Sequence, residues 1–434
     1  MSPEQSDDEA RDADGGPAIR RLADWDADQL RELADDHGTP LYVTDLDRVA
    51  ENCARLRAAF PDADVKYAVK AHTGRAVLET VRGSGLDAEC ASAGEVGRAL
   101  DAGFGGGGVD YTAVNPPARD LDAVVEWWEE HPDLTITVGA RDTLDRLADR
   151  GFDGGVCVRV NPGVGAGHHE KVRTGAAPKF GVPYDRAAEV IADARDRFEV
   201  VGIHAHAGSG IHGEEDLAAH RDLVSRMGDL ARAVDDADLE FVDVGGGFGV
   251  PYREDDPALD LDAVADATRE ALGEIDATLA VEPGRYVVAD AGVLLTTVNT
   301  VKPTPETTVA GVDAGMTDLL RPAMYDAYHA IRNLAAADAA DATGDAAAGR
   351  EVGPVTVAGP ICETGDTFCD GRELPVPARG DLLAVGNAGA YGYEMASTYN
   401  SRPRPSEVSL AGDVLRERET LAGVTRLEHG GADE

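Results

Sequence analysis

The chain has 434 residues, 43% of them hydrophobic, enough to bury a sizeable core in two or three domains and too many for a disordered chain. Its formal net charge of −41, from 81 Asp+Glu against 40 Lys+Arg spread along the whole length, argues against nucleic acid and anionic membranes as partners. Lysine is confined to Lys66, Lys70, Lys171, Lys179 and Lys302, and so evenly acidic a surface suits a salt-rich cytosol, where carboxylates keep the chain hydrated.

Residues 1 to about 20 predict a flexible acidic tail, and no apolar run reaches the length that spans a bilayer. Cys53, Cys90, Cys157, Cys362 and Cys369 have no zinc-ligand spacing and predict reduced thiols, so a cytoplasmic location is expected. A short helix is predicted from Asp26 to Asp36. From Asp64 onward, apolar β-rich runs alternate with amphipathic Ala/Arg/Asp-rich stretches. This gives eight predicted strands at 64–70, 86–90, 109–114, 134–138, 155–160, 200–206, 240–244 and 278–282. Eight βα units in this span predict a (β/α)8 TIM barrel; a doubly wound sheet is the alternative, without a strand-associated G-x-G-x-x-G to support it. Beyond Val287 the short runs V-L-L-T-T-V, T-V-A-G-V, V-T-V-A-G and D-L-L-A-V-G predict a C-terminal antiparallel β domain, with the Ala/Asp run 335–349 as a surface insertion. The expected division is a tail at 1–20, a barrel at 38–285, and a β-sandwich or β-barrel domain made of 21–37 plus 286–434.

The stretch V-K-Y-A-V-K-A-H, residues 65 to 72, carries two of the five lysines. On one strand both would share a face, four residues and roughly 13 Å apart, so they would sit at opposite ends of the barrel. Lys66 is then expected at the N-terminal end, solvated or ion-paired, and Lys70 at the C-terminal rim, where barrels of this kind carry their chemistry. The other strands deliver Arg159, Asn161, His168 and His169, then His204 to Gly210 (H-A-H-A-G-S-G), then Gly245, Gly246 and Gly247, then Glu282-Pro283-Gly284-Arg285.

Glycine-rich turns beside Ser209 and Arg285 offer backbone N–H groups, a hydroxyl and a fixed positive charge, which together match a phosphate. With a buried lysine and a carboxylate on the same rim, they point to pyridoxal 5'-phosphate. Lys70 would bond the cofactor covalently, Glu282 would hold its pyridine nitrogen protonated, and His206 could stack on its ring.

On these residues the chain resembles the diaminopimelate decarboxylases, within the fold-type III, alanine racemase-like pyridoxal phosphate enzymes, from about residue 40 to 410. The shared motifs are Tyr67-Ala68-Val69-Lys70, Gly202 to Ser209, Gly245 to Gly247 and Glu282 to Arg285; ornithine and arginine decarboxylases also carry them. More specific are Arg321-Pro322-Ala323-Met324-Tyr325, Gly359-Pro360-Ile361-Cys362-Glu363 and Gly389 to Met395. The resemblance implies decarboxylation of meso-2,6-diaminopimelate to L-lysine, the last step of lysine biosynthesis. It also implies that Arg285, Arg321 and Tyr325 hold the distal carboxylate of the substrate and Glu363 its distal ammonium. Tyr391 would contact the cofactor phosphate and the substrate, and Cys362 would protonate the substrate carbon. Cys362 and Glu363 would come from the partner subunit of a homodimer. The chain departs from the family at His72, Gly210 and Pro116-Pro117, around the expected cofactor loops.

Other readings remain at this point: an arginine, ornithine or carboxynorspermidine decarboxylase of the same fold, a non-catalytic cofactor-binding regulator, and a metal-dependent barrel hydrolase. The last would use His204, His206, His168, His169 and Asp243, but it would leave Lys70 and the E-P-G-R turn without a use.

Overall fold

A computed structural model describes residues 18–164, 166–167, 179–206, 208–209, 211, 214–335 and 350–428. The tail at 1–17, His168, His169, Lys171, Gly210 and the run 336–349 lie outside the described residues.

The chain enters through α1 (Ala27–His37), where the Asp26 side chain accepts hydrogen bonds from the N–H groups of Asp28 and Gln29, a cap worth about 1 kcal/mol. Gly38 ends the helix at φ 69°, a left-handed conformation that glycine adopts without a Cβ penalty. Leu30 and Leu33 bury the apolar stripe of α1 against Leu41, Val43, Val293, Leu295 and Val408, so this helix packs on the C-terminal sheet.

After β1 (Leu41–Thr44) come eight strands: β2 (Ala63–Ala68), β3 (Asp87–Cys90), β4 (Val109–Tyr111), β5 (Thr135–Val138), β6 (Gly155–Asn161), β7 (Glu199–His204), β8 (Phe241–Asp243) and β9 (Thr278–Val281). Each pairs in parallel with the next, and β9 pairs in parallel with β2, which closes the barrel. Apolar side chains such as Val65, Tyr67, Ala88, Val109, Ile136, Val158, Ile203, Val242 and Val281 form one contiguous core with the surrounding helices.

Besides three two-residue strands at Ala166–Gly167, Val182–Pro183 and Gly208–Ser209, the strands that follow the barrel are β10 (Gly292–Pro303), β11 (Thr308–Val312), β12 (Ile331–Asn333), β13 (Val352–Ala358), β14 (Thr367–Pro375), β15 (Leu382–Val385), β16 (Ser406–Ser409) and β17 (Val414–Arg416). The long β10 pairs antiparallel with β1, β11 and β15. The sheet is mostly antiparallel rather than wholly so: β1 runs parallel to β16 and β11 runs parallel to β13. Both exceptions join strands far apart in sequence, where no hairpin turn dictates direction. Among the described residues no helix is long and apolar enough to cross a membrane.

Candidate active site

Strand β2 stops at Ala68, so Lys70 is not on the strand. It lies in the 3-10 turn Val69–Ala71, which projects from the C-terminal end of β2. The Ala68 N–H carries the ladder with β9 one step further, donating to the Pro283 carbonyl at 3.0 Å, but Pro283 has no N–H for the return bond and the ladder stops; Gly284 allows the close approach. A Cβ on Gly284 would sit 3.0 Å from the Ala68 Cβ. The Lys70 Nζ lies 2.8 Å from Glu89 Oε2 on β3, with Glu89 buried and Lys70 39% exposed. Burial opposes the charge on Lys70, but the Glu89 and Glu282 carboxylates outweigh it and raise the amine's pKa.

Glu282, one residue past β9, is 4% exposed, and His204 Nε2 lies 3.2 Å from its carboxylate. Burial first, then the Glu89 charge, pushes its carboxyl up to about 8. His204 is pressed down to about 3 by burial and the Arg159 charge, and is therefore neutral. Burial also lowers His206 well below its ordinary value, and its Nδ1 accepts the Gly246 N–H at 3.1 Å. The contact expected of His206 is a ring stack; the structure gives its imidazole a further role as an acceptor for the glycine loop.

That loop needs its three glycines. Gly245 and Gly247 have φ of +73° and +107°, and a Cβ on Gly246 would lie 1.9 Å from the Glu282 carbonyl oxygen. Of Ser209 the backbone is described, pairing Gly208–Ser209 in parallel with Ala166–Gly167. Arg285 donates from Nη1 to the Tyr252 hydroxyl at 2.6 Å, and its guanidinium lies 4.9 Å from the centre of the Tyr391 ring. Tyr391, at φ 56°, donates its N–H to the Ala71 carbonyl at 2.9 Å, tying the C-terminal domain to the Lys70 turn. Arg321 is buried 5.4 Å from the centre of the Tyr252 ring, and its Nε faces His329 Nε2 at 3.4 Å. Tyr325 is half-buried at the end of the same short helix, Arg321–Tyr325.

Lys70, His206, the glycine loop, Glu282, Arg285 and Tyr391 thus converge, with Arg321 reaching the group through Tyr252. Cys362 and Glu363 do not join them. Both are exposed on the turn between β13 and β14, where Glu363 Oε1 accepts from the Tyr399 hydroxyl at 2.6 Å and the Cys362 Sγ is 3.5 Å from the Asn400 amide nitrogen. Sequence reasoning missed Glu89 and Tyr252. Glu89 had a signal, an acid between Ala88 and Cys90 at the C-terminal end of a strand, whereas Tyr252 in P-Y-R had none.

His204, Asp243 and Glu282 could present one ligand atom each to a cation, all within 4.8 Å of one another. Asp243 however already faces an internal cation, the Lys66 ammonium 3.5 Å from its Oδ2. Pyridoxal 5'-phosphate is the better fit. An open amine, a carboxyl at about 8 that a protonated ring nitrogen would ionise, and a side-chain-free glycine loop are the parts it requires.

Comparison with known proteins decides the family. The profile described as "Pyridoxal-dependent decarboxylase, pyridoxal binding domain" matches residues 46–289. Diaminopimelate decarboxylase of Methanothermobacter thermautotrophicus is 43% identical over 417 residues, covering 91% of this chain and 92% of that protein. The chain belongs to the diaminopimelate decarboxylase family of pyridoxal-dependent decarboxylases. The enzyme of that name from Deinococcus radiodurans is 37% identical over 413 residues, 92% of this chain and 98% of the relative. A crystal structure of the Helicobacter pylori enzyme complexed with L-lysine superposes with a TM-score of 0.81 at 32% identity, covering 92% of this chain and 98% of that one. Membership in this family removes the metal-hydrolase and regulator readings and makes pyridoxal 5'-phosphate the cofactor.

Proposed function

We propose that the protein converts meso-2,6-diaminopimelate to L-lysine and CO2, the last step of lysine biosynthesis. The observation that carries this is the pairing of Lys70 with Glu89 and Glu282 on the barrel rim, together with two buried guanidiniums, Arg285 and Arg321, around one tyrosine. When bound, the cofactor supplies an electron sink for the bond between the substrate's Cα and its carboxylate. Lys70 would hold the cofactor, Glu282 would keep its ring nitrogen protonated, and the backbone of Ser209, Gly245, Gly246, Gly247 and Gly284 with Tyr391 would receive its phosphate. His206, which accepts the Gly246 N–H, would stack on the ring. CO2 departs without the electron pair, and the Cys362 thiol delivers a proton to Cα.

Substrate selection rests on the far end of the molecule, which is itself an amino acid. Arg285, Arg321 and Tyr325 receive its carboxylate, and Tyr391 borders the same space. Arg285 meets the Tyr252 hydroxyl, and Arg321 faces a His329 imidazole pressed down to about 3 by burial and the Arg321 charge, so that this imidazole is neutral. Glu363 receives the distal ammonium. A diamine-forming decarboxylase would have no use for the two cations. Formation of L-lysine from meso-diaminopimelate by the wild type and its loss in Lys70→Ala test this reading; turnover by Lys70→Ala would overturn it.

Because Cys362 and Glu363 are exposed, we read the active unit as a homodimer in which each subunit lends these two residues to its partner. Five free cysteines, four of them buried, support a reducing cytoplasm as its location. The charge of −41 supports a salt-rich one; a melting temperature that does not rise with molar KCl would overturn the halophilic reading.

A further inference from the structure

Of the two roles expected for Lys66, solvated or ion-paired, the structure shows the ion pair. Lys66 is 5% exposed inside the barrel, ion-paired with Asp110 of β4, 3.5 Å from Asp243 Oδ2 of β8 and 3.7 Å from the centre of the Phe241 ring. A buried ion pair rarely adds net stability, because desolvation offsets the attraction, so its placement calls for another reason. Asp243 supplies one. While Oδ2 faces Lys66, Oδ1 accepts the N–H of Gly245 at 2.8 Å. That peptide opens the Gly245–Gly247 loop, whose backbone conformation no side chain of its own restricts.

We propose that Lys66 is a positioning residue for the cofactor's phosphate end: it orients the Asp243 carboxylate, and Asp243 fixes the Gly245 peptide so that the glycine loop is preset before the phosphate arrives. The loop's other bonds run from the Gly246 N–H to Nδ1 of His206, an imidazole that burial keeps from charging, at 3.1 Å, from the Glu282 N–H to the Gly245 carbonyl at 3.0 Å, and from the Ile211 N–H to the Gly247 carbonyl at 2.7 Å. Asp243 is therefore the one charged acceptor on this loop among the described residues, and a charged acceptor makes the stronger bond. Burial and the Glu282 charge push the Asp243 carboxyl up to about 7; Lys66 opposes both and favours the ionised acceptor.

The inference rests on the pyridoxal phosphate reading, and the test separates the two. Apoprotein of the full chain is titrated with pyridoxal 5'-phosphate and with pyridoxal, which lacks the phosphate. The expected result for Lys66→Met is binding of pyridoxal phosphate about tenfold weaker with pyridoxal binding unchanged, and partial recovery in Lys66→Arg. Equal weakening of both ligands, or no weakening of either, would overturn the proposal. Should Lys66→Met fail to fold, Asp243→Asn, which keeps the acceptor oxygen and removes its charge, must show the same phosphate-selective loss, and an equal loss overturns it. A wild type that binds both ligands alike would instead overturn the cofactor reading.

Discussion

The Lys70 ammonium, on the turn that follows β2, and the Glu89 carboxylate of β3 form an ion pair, Nζ to Oε2 2.8 Å, in which the acid is buried and the amine is partly open. Only an uncharged amine attacks the cofactor's aldehyde, and burial, which would free it, is outweighed by Glu89 and Glu282. In Glu89→Gln the amine's pKa therefore falls, and the rate of covalent cofactor capture at neutral pH rises about tenfold for each unit of that fall. Stopped-flow absorbance of apoprotein mixed with cofactor measures it; an unchanged or slower rate contradicts the assigned pairing.

The cofactor-free protein should lose stability as pH rises through neutrality. Burial, then the Glu89 charge, raises Glu282 to about 8, and burial, then the Glu282 charge, raises Asp243 to about 7, both above their ordinary values of 4.5 and 3.8. Groups raised in the folded state favour folding while protonated, so their contribution is complete below about pH 4 and is lost as pH climbs through 7 and 8. Glu407 acts in the opposite sense. Burial would raise it, but His72 and Arg416 hold it at about 2, so its contribution is lost only in strong acid, outside this window. Urea midpoints should fall between about pH 6 and about pH 9, and fall less in Glu282→Gln; equal slopes would count against the buried carboxyl.

Sharing of the site between subunits predicts complementation. Lys70→Ala and Cys362→Ala are each expected to be inactive, and in an equal mixture half of the dimers are hybrids with one intact site of two, about one quarter of wild-type activity. No recovery after subunit exchange, verified by mass, would place Cys362 in its own subunit's site.

Distal recognition predicts a selective defect in Arg321→Met. Loss of a buried charge-assisted contact to the substrate carboxylate should lower kcat/KM for diaminopimelate about 100-fold. Cofactor affinity should stay unchanged, because the side chain of Arg321 packs on the Tyr252 ring and His329, set back from Lys70, Glu282 and the glycine loop. A matching loss of cofactor affinity would mean that the residue supports the whole site instead.

The barrel was legible because its signal is local and repeated: strands expected at 64–70 and 278–282 are observed at Ala63–Ala68 and Thr278–Val281, with the glycine loop and E-P-G-R at their rim. The turn carrying Lys70 was not, because the ladder of β2 stops at Pro283, which has no N–H to return and lies more than two hundred residues away in sequence. Lys66, expected at the N-terminal end, is the fourth of the six residues of β2, and the sequence could name an ion pair for it without its partners, which come from β4 and β8. The parallel β1–β16 and β11–β13 pairs likewise depend on contacts that no turn announces. Cys362 and Glu363 are named by their motif, yet a single chain leaves them at the surface.

The central claim is the substrate, and CO2 release from a panel of meso-diaminopimelate, arginine, ornithine and carboxynorspermidine by the cofactor-loaded protein tests it most directly. The geometry of Arg285 and Arg321 around Tyr252 predicts release from meso-diaminopimelate, with L-lysine as the product, far in excess of the other three. Faster release from any of the other three substrates would contradict it.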